Sequence, residues 1–451
     1  MTKERSHIAI TGAGLVGSLL ALYLKKRGYR ITVFERRPDL RKERVDGGRS
    51  INLALSARGL KALGEHGLAD AIRRIAIPMH GRMMHDTAGS LTFQPYGKEG
   101  EYINSVSRSD LNMVLINEAE KAGAEFRFNH RCVNVDLNTT QLTLSNAEAD
   151  TTTEKFDLII GADGAFSAVR SAMQTTDRFN YAQSYIEHGY KELHIPASPA
   201  GEFQLEKNAL HIWPRESFMM IALPNPDKTF TCTLFLPFKG ANSFAELNAQ
   251  EKITIFFETY FPDAMRLMPT LLDDFQRNAT SSLVTIKCYP WVINRTLLIG
   301  DAAHAVVPFY GQGMNAGFED CRVLNDMLDD ANDDWDKVLE RFQQERKQNA
   351  DAIAQLALEN FIEMRDRVAD DKFLLQKRIE ARIHELYPDQ WIPQYSMVTF
   401  RPDIPYSNAM AIGRRQAEIM RGVMAQADIE HGWEKLDFAA IAAQLKRTPT
   451  S

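Results

Sequence analysis

The sequence predicts an α/β protein that combines a Rossmann-like dinucleotide-binding domain, an antiparallel-sheet substrate domain and a helical C-terminal region. Three glycine-bearing motifs, each directly after an apolar run, predict the first part: residues 12–17 (GAGLVG), 161–164 (GADG) and 300–315 (GDAAHAVVPFYGQGMN). Strand-like runs between residues 181 and 284 predict the sheet. Helical periodicity from residue 320 onwards predicts the C-terminal helices.

The first motif has the context that a dinucleotide fingerprint requires. Residues 8–10 predict a strand and residues 19–24 a helix, so Gly12, Gly14 and Gly17 lie in a tight turn between them. Such a turn brings the helix N-terminus against a pyrophosphate. Glu35 follows the second strand, where a carboxylate binds an adenosine ribose and disfavours a 2′-phosphate. The motif alone also fits an ordinary glycine turn in an α/β unit.

The other two motifs favour FAD over NAD. Residues 156–160 and 296–299 predict buried strands that lead into Asp163 and Asp301. An NAD enzyme needs no carboxylate so far along the chain, whereas the ribityl hydroxyls of FAD would find one in Asp301. The loop at residues 308–315 then opens a helix, whose N-terminal amides would stabilise the anion of the reduced flavin.

Composition excludes several classes of protein. The chain has 451 residues, of which 44% are hydrophobic and 25% charged, and a formal net charge of −6, which gives no reason to expect a nucleic-acid partner. The four cysteines are scattered, without metal-ligand spacing, and predict buried free thiols in a cytoplasmic protein. No apolar run is long enough to span a membrane, and no signal peptide is recognised.

The motifs predict a discontinuous domain organisation. The dinucleotide-binding domain is expected in three parts, at residues 1–74, 101–180 and 285–330. Residues 75–100 and 181–284 are expected to form the substrate domain, with Met83 and Met84 in an irregular stretch, and residues 331–451 the helical C-terminal domain.

Several segments resemble one family of flavoproteins. These segments are residues 34–38, 48–55, 94–97, 188–193, 210–214, 358–360 and 395–400. With the three motifs, they make the chain similar to the single-component aromatic hydroxylases of the p-hydroxybenzoate hydroxylase fold and, among these, to the kynurenine 3-monooxygenase family. Eukaryotic members of that family carry a C-terminal membrane anchor, whereas this chain ends in a polar segment, which suggests the soluble bacterial type.

The resemblance implies an activity and a set of co-substrates. It implies hydroxylation of L-kynurenine to 3-hydroxykynurenine with NADPH and O2, through a flavin C4a-hydroperoxide, in tryptophan degradation. No second G-x-G-x-x-G occurs, so the nicotinamide is expected to bind transiently, and no protein side chain is expected to act as a catalytic group. The choice between NADPH and NADH stays open, as does a homodimer.

The resemblance and the motifs together predict the cofactor-binding residues. They are Gly12, Gly14, Val16, Gly17, Glu35, Arg36, Ala54, Arg108, Asp163, Gly300, Asp301, Gly311, Gly313, Met314 and Asn315.

The substrate is expected to bind at two chemically different ends. Arg82 would bind its carboxylate with two parallel donors, and Tyr96, Tyr395 and Asn360 would add polar contacts. The ring end would be apolar, with a lining of Leu210, Ile221, Leu223, Phe235, Pro308, Phe309 and Met364, although plain core packing also explains each of these. Tyr310 departs from the Phe or His of relatives. For Asn360, a helix–helix hydrogen bond is the alternative, and His211 and His304 are interpreted as structural.

Three other functions are alternatives to this activity. A related hydroxylase of another aromatic substrate would share every flavin motif. A flavin-dependent halogenase would share the fold but need two tryptophans one residue apart, and Trp391-Ile392-Pro393 lacks the first. A non-catalytic flavin-binding module would need an exposed docking tract, and none stands out. The helical region with Asn360 and Tyr395 is expected to sense the substrate and trigger flavin reduction.

Overall fold

A six-stranded sheet, with strands drawn from residues 7 to 298, forms one core of the protein. The computed structural model describes residues 6–42, 52–98, 100–366 and 371–446, with the side chains of 364–366 and 371 excluded. In spatial order, the strands of this sheet are Val292–Ile293, Thr296–Leu298, Leu158–Gly161, His7–Thr11, Arg30–Phe34 and Glu125–Arg127. All neighbours are parallel except the first pair. Ile8, Ile10, Ile159 and Ile160 are fully buried, as expected for a parallel sheet covered on both faces.

A seven-stranded sheet forms the second layer. Its strands, in spatial order, are Ser281–Tyr289, Asn180–Ile195, Phe230–Pro237, Phe218–Pro224, Ala209–Arg215, Gly81–His85 and Leu91–Pro95. Neighbours are antiparallel, except that Gly81–His85 runs parallel to Ala209–Arg215.

The structure corrects one sequence expectation in this sheet. Met83 and Met84, expected in an irregular stretch, lie in the regular strand Gly81–His85. Glycine is needed at position 81 for strand pairing, because a Cβ atom there would lie 2.4 Å from the Gln94 carbonyl oxygen.

Two small sheets complete the strands. One contains Asn52–Leu55, Ile103–Ser107 and Ile77–Met79, and the other Arg131–Asp136, Gln141–Ser145 and Thr151–Lys155. The expected substrate segment 75–100 therefore divides between two sheets, since Ile77–Met79 pairs with Ile103–Ser107. The domain boundaries remain a prediction.

Helices cover both large sheets and make up the C-terminal region. They are Leu15–Lys26, Ala57–Gly64, Ala69–Ile75, Arg108–Lys121, Ala168–Met173, Gln250–Tyr260, Pro262–Met265, Leu271–Arg277, Asp301–His304, Gly313–Asp330, Trp335–Asp366, Asp371–Leu386, Gln394–Phe400, Tyr406–Met424, Ile429–Gly432 and Phe438–Ala443. Short 3-10 turns span Pro308–Tyr310, Trp433–Lys435 and Gln444–Lys446. The predicted fold class is confirmed.

Three helices border the candidate site. The glycine-loop helix is Gly313–Asp330, the long helix is Trp335–Asp366, and the Tyr395 helix is Gln394–Phe400. Among the described helices, none has the length and apolar character that a membrane crossing needs.

Candidate active site

The first glycine motif forms a tight turn with one open side. Gly12 has a φ of +96°, and a Cβ atom there would lie 2.6 Å from the Ala162 carbonyl oxygen. A Cβ atom at Gly17 would lie 2.0 Å from the Gly12 carbonyl oxygen. Around Gly14, by contrast, a Cβ atom would meet nothing within 4 Å, and Gly14 begins the helix Leu15–Lys26 without a side-chain cap. The helix therefore presents its amides to open space, as a pyrophosphate site requires.

Glu35 is placed at the end of the second strand, but its carboxylate already has protein donors. It accepts hydrogen bonds from the Ala13 amide at 3.0 Å and from the Arg37 Nε at 2.9 Å. Burial alone would raise the pKa of Glu35, but the bonds from Arg37 hold it below its usual value. An ionised carboxylate has further lone pairs for a ribose hydroxyl. The predicted Arg36 is exposed, and Arg37 makes the ion pair.

The second and third motifs place two aspartates in different environments. Asp163 accepts from the Ala168 amide at 2.7 Å through Oδ2, while its Oδ1 is buried without a partner among the described residues. Burial raises the pKa of this carboxyl group. Asp301 is exposed at the start of its short helix, after Gly300 with a φ of +59°.

The glycine loop is fixed by the side chain of Asn315. Its amide nitrogen donates to the Ala54 carbonyl at 2.9 Å and to the Gly311 carbonyl at 2.8 Å, and its oxygen accepts from the Ser56 amide at 2.9 Å. Gly311 has a φ of +66°, and a Cβ atom there would lie 3.1 Å from the Ala54 Cβ. Asn315 and Ala54 thus fix the backbone conformation of the glycine loop.

The remaining predicted cofactor residues flank these elements. Val16 fits against two glycines, since its side chain would lie 3.1 Å from a Cβ at Gly300 and 2.5 Å from one at Gly317. Gly313 and Met314 begin the glycine-loop helix, and Arg108 is exposed at the start of its own helix. The open helix end at Gly14 and the orphaned Asp163 oxygen both fit a bound dinucleotide.

Arg82 lies beside two stacked tyrosine rings. Its guanidinium carbon is 5.5 Å from the centre of the Tyr96 ring and 4.8 Å from that of Tyr395. Burial opposes the charge, but Tyr395, Tyr96 and Glu363 hold the pKa of Arg82 above its usual value. In the described chain, no carboxylate is within ion-pair distance of Arg82. The guanidinium is therefore available to an anion.

Three tyrosines form a stack beside this arginine. The Tyr395 ring is parallel to Tyr96 at 5.6 Å and to Tyr310 at 5.4 Å. Burial raises the pKa of Tyr96 and of Tyr310 well above the usual value. The Tyr96 hydroxyl is buried with no partner among the described residues. Because a buried hydroxyl without a partner is costly, this one is suited to a ligand.

The apolar residues predicted for the ring end gather next to the tyrosine stack. Phe309 stacks on Phe361 at 4.2 Å and contacts Phe235 at 4.9 Å between ring centres. Leu210, Ile221 and Tyr395 pack against two apolar clusters, one that contains Phe235 and one that contains Leu223. Pro308 is exposed at the start of the Phe309 turn. The Met364 side chain lies outside the described residues.

Asn360 is buried on the long helix and fixes the Phe309 turn. Its amide nitrogen donates to the Phe309 carbonyl oxygen at 2.7 Å. The bond joins helix to loop, so Asn360 positions the apolar wall of the site. A direct contact with the substrate remains a prediction.

Sequence reasoning missed several residues that shape the site. The Asn112 amide donates to the Ala13 carbonyl at 3.0 Å, and its Oδ1 is buried without a partner among the described residues. Arg58 and Gln312 are almost fully buried between the glycine loop and the Tyr395 helix. Gln312 stands within a quoted motif, but nothing in a single sequence marks Arg58 or Asn112, because their partners are distant in the chain.

The fold and the glycine sites define the class of protein. The model of the FAD binding domain family matches residues 5–357, which is most of the chain. The protein is thus an FAD-dependent monooxygenase, as its relatives also show.

Those relatives define the particular family. A kynurenine 3-monooxygenase from Christiangramia forsetii is 52% identical over 96% of this chain and 97% of its own length. One from Dictyostelium discoideum is 46% identical over 98% of this chain and 97% of its own length. The chain belongs to the kynurenine 3-monooxygenase family.

Solved structures share the fold at lower identity. A tetrameric 2-methyl-3-hydroxypyridine-5-carboxylic acid oxygenase superposes with a TM-score of 0.67 at 20% identity, covering 81% of this chain and 94% of the other. Pseudomonas aeruginosa PqsL, in complex with 2-aminobenzoylacetate, gives a TM-score of 0.64 at 20% identity, covering 80% and 97%. These similarities support the fold alone.

Proposed function

We propose that this protein hydroxylates the aromatic ring of L-kynurenine to give 3-hydroxykynurenine, with NADPH and O2 as co-substrates. The relatives named kynurenine 3-monooxygenase support the substrate. The observation that carries the proposal is the Arg82 guanidinium, which has no carboxylate partner in the described chain and lies beside the stacked rings of Tyr96 and Tyr395.

The amino-acid end of kynurenine fits the polar side of the site. The Arg82 guanidinium offers two parallel donors to the α-carboxylate. The orphaned Tyr96 hydroxyl can donate to the same carboxylate, and the Tyr395 hydroxyl can add a second neutral donor. The two stacked rings beside it restrict the guanidinium, so less side-chain entropy is lost on binding.

The anthraniloyl ring fits the apolar side. Phe235, Phe309 and Leu210 form a wall that excludes water and offers ring-to-ring contact. Asn360 holds the Phe309 turn from behind through its hydrogen bond to the backbone. The Tyr310 hydroxyl gives this wall one polar group, which can receive or donate a hydrogen bond at the ring amine.

The cofactor would be held by residues from all three motifs. The amides at Gly14 would bind the pyrophosphate, Glu35 the adenosine ribose, and Asp163 and Asp301 hydroxyl groups of the cofactor. When bound, FAD supplies the redox chemistry that accepts hydride from nicotinamide and activates oxygen. The residues of the chain would hold the substrate ring in place and exclude water, and none of their side chains would act as a nucleophile.

The nicotinamide is expected to bind transiently, since one dinucleotide fold serves the whole chain. Substrate is expected to accelerate flavin reduction, because reduction without substrate would waste nicotinamide on peroxide. A homodimer and a cytoplasmic location also remain predictions.

A turnover assay with identified product tests the proposal. Purified protein with FAD should consume NADPH and O2 in step with the appearance of 3-hydroxykynurenine. p-Hydroxybenzoate and other simple aromatics, which lack the amino-acid end, should stimulate NADPH oxidation weakly. A protein that oxidises NADPH equally with all these compounds, or forms no hydroxylated kynurenine, would reject the assignment.

A further inference from the structure

Arg58 caps the end of the Tyr395 helix. Its side chain is fully buried, and its Nε donates to the Val398 carbonyl at 2.7 Å. Its Nη2 donates to the carbonyls of Met397 at 3.2 Å and of Ile404 at 2.5 Å. The last carbonyls of a helix have no partner within it, and a cation there is favourable. One guanidinium therefore fixes the end of the helix that carries Tyr395.

The same guanidinium is tied to the glycine-loop helix by a buried ion pair. Arg58 Nη1 lies 2.6 Å from the Glu319 Oε1, and the Glu319 Oε2 lies 2.8 Å from the Arg346 Nη1 of the long helix. Burial would raise the pKa of Glu319, but Arg346 and Arg58 hold it below its usual value. The helix Ala57–Gly64, which carries Arg58, the glycine-loop helix and the long helix thus meet at the Glu319 carboxylate.

The network continues to the third glycine motif. Arg346 Nε lies 2.7 Å from the Asp320 Oδ1, and Asp320 Oδ2 accepts from the Gly300 amide at 3.2 Å and lies 2.5 Å from the His304 Nε2. Each carboxylate oxygen has a partner, so the charges are compensated, as burial demands.

A tyrosine links Arg58 directly to the glycine loop. The Tyr406 ring lies under the Arg58 guanidinium, with the guanidinium carbon 4.0 Å from the ring centre. The Tyr406 hydroxyl donates to the Gln312 Oε1 at 2.9 Å. Both side chains are buried, and Gln312 directly precedes the glycine-loop helix. A displacement of the Tyr395 helix would therefore reach the loop through three successive contacts: those of the helix with Arg58, of Arg58 with Tyr406 and of Tyr406 with Gln312.

We propose that Arg58, Tyr406 and Gln312 are positioning residues that transmit substrate binding at Tyr395 to the glycine loop at residues 311–315, and so to the cofactor. The inference rests on the proposed function, because kynurenine is taken to contact Tyr395. Its physical basis is a continuous set of buried contacts between the two sites, and its measure is a coupling between kynurenine binding and the state of the flavin.

The hydrogen bond between Tyr406 and Gln312 offers the sharpest test. Tyr406→Phe removes one hydroxyl and keeps the ring under Arg58, while Gln312→Met removes the acceptor at similar length. Tyr260→Phe is the matched control, because its hydroxyl accepts a 3.0 Å bond from Asn242 and its ring packs against a different apolar cluster, that of Phe218 and Phe256. Each variant, and the Tyr406→Phe/Gln312→Met double variant, is loaded with FAD and titrated anaerobically with kynurenine.

Two readouts are taken from each variant. The first is the kynurenine-induced change in the flavin absorption band, which needs no turnover. The second is the acceleration of flavin reduction by NADPH when kynurenine is added. The account predicts that the acceleration is about fivefold smaller in either single variant, because one neutral hydrogen bond is lost. The kynurenine-induced change in the flavin absorption band should decrease in parallel. The double variant should lose no more than either single variant.

Several results would overturn the inference. Wild-type acceleration in Tyr406→Phe and Gln312→Met would do so, as would losses that multiply in the double variant. An equal loss in Tyr260→Phe would show a general effect of removing a tyrosine hydroxyl. If wild-type protein forms no hydroxylated kynurenine, the proposed function itself has failed and the inference fails with it.

Arginine variants give a second test that does not depend on Tyr406. Arg58→Lys keeps the charge but loses the fork of donors. Arg215→Lys is its control, because Arg215 is also buried and donates to backbone carbonyls, those of Tyr260 and His85, which belong to neither the glycine loop nor the Tyr395 helix. Arg58→Lys should weaken kynurenine binding and blunt the band change, whereas Arg215→Lys should only lower the melting temperature. Equal behaviour of the two would contradict the positioning role.

Discussion

The two ends of the candidate site are built by different means. At the dinucleotide end, backbone geometry determines the site. Gly12 and Gly17 allow neighbouring backbone to approach closely, and Gly14 leaves the N-terminus of a helix open. At the substrate end, side chains from distant segments meet, with Arg82 beside the stacked rings of Tyr96 and Tyr395. A backbone site serves a cofactor that is shared by many enzymes, whereas a side-chain site can be changed residue by residue to suit one substrate.

Gly14→Ala should break the dinucleotide end without harming the fold. Gly14 has an ordinary φ of −73°, and a Cβ atom would meet nothing in the protein within 4 Å. It would, however, keep a pyrophosphate from the helix amides and weaken charge-assisted hydrogen bonds, at a cost of roughly 100-fold in FAD affinity. Flavin fluorescence titration measures the affinity and calorimetry the apoprotein melting temperature.

Gly17→Ala is the contrasting variant. Its Cβ would lie 2.0 Å from the Gly12 carbonyl oxygen, so the turn itself must shift and the apoprotein should melt at a lower temperature. Equal melting temperatures for the two variants would contradict the distinction drawn between an open and a closed glycine.

Asp301→Ala should give folded but flavin-poor protein. Asp301 is exposed and makes no hydrogen bond or ion pair with another described residue, so its loss should cost little stability. Hydrogen bonds to a charged acceptor predict a loss of roughly 30-fold in FAD affinity. The FAD content of the purified variant, read from its absorption spectrum, checks this, and full occupancy would remove Asp301 from the cofactor site.

Arg82→Ala should break the substrate end and leave the dinucleotide end intact. Loss of one partner of a desolvated charge pair predicts a half-saturation for kynurenine that is about 30-fold higher or more. FAD content should match wild type. Steady-state kinetics at varied kynurenine measure the change, and an unaltered half-saturation would move the carboxylate site elsewhere.

Tyr96→Phe and Tyr395→Phe should have smaller effects on affinity. Each removes a neutral donor, which predicts about a fivefold loss in kynurenine binding. The two should differ in a second respect, because Tyr395 lies on the helix that Arg58 caps. Tyr395→Phe should blunt the substrate-stimulated reduction, whereas Tyr96→Phe should retain it, as measured by anaerobic stopped flow. Identical stimulation in both would detach the Tyr395 helix from any sensing role.

How much the sequence revealed follows the same division. The glycine motifs predicted the first sheet and its turns, because the backbone demands of a dinucleotide site are local in the chain. They did not show that Glu35 is already held by Arg37, since that pairing depends on the conformation after the strand. Glycine at position 81 suggested an irregular segment. In the structure, glycine is required there because a neighbouring strand lies too close for a side chain.

At the substrate end, residue composition alone predicted little. Arg82, Tyr96 and Tyr395 were found through family resemblance, and the structure brings them together. Arg58 carries no local signal, because its role arises only where the Tyr395 helix meets the glycine-loop helix.

A structure of the protein with FAD and kynurenine bound, under anaerobic conditions, tests the central claim most directly. The account predicts the kynurenine carboxylate within hydrogen-bond distance of the Arg82 guanidinium, with the aromatic ring against Phe235 and Phe309. A carboxylate bound away from Arg82, or a ring that lies outside this apolar wall, would contradict it.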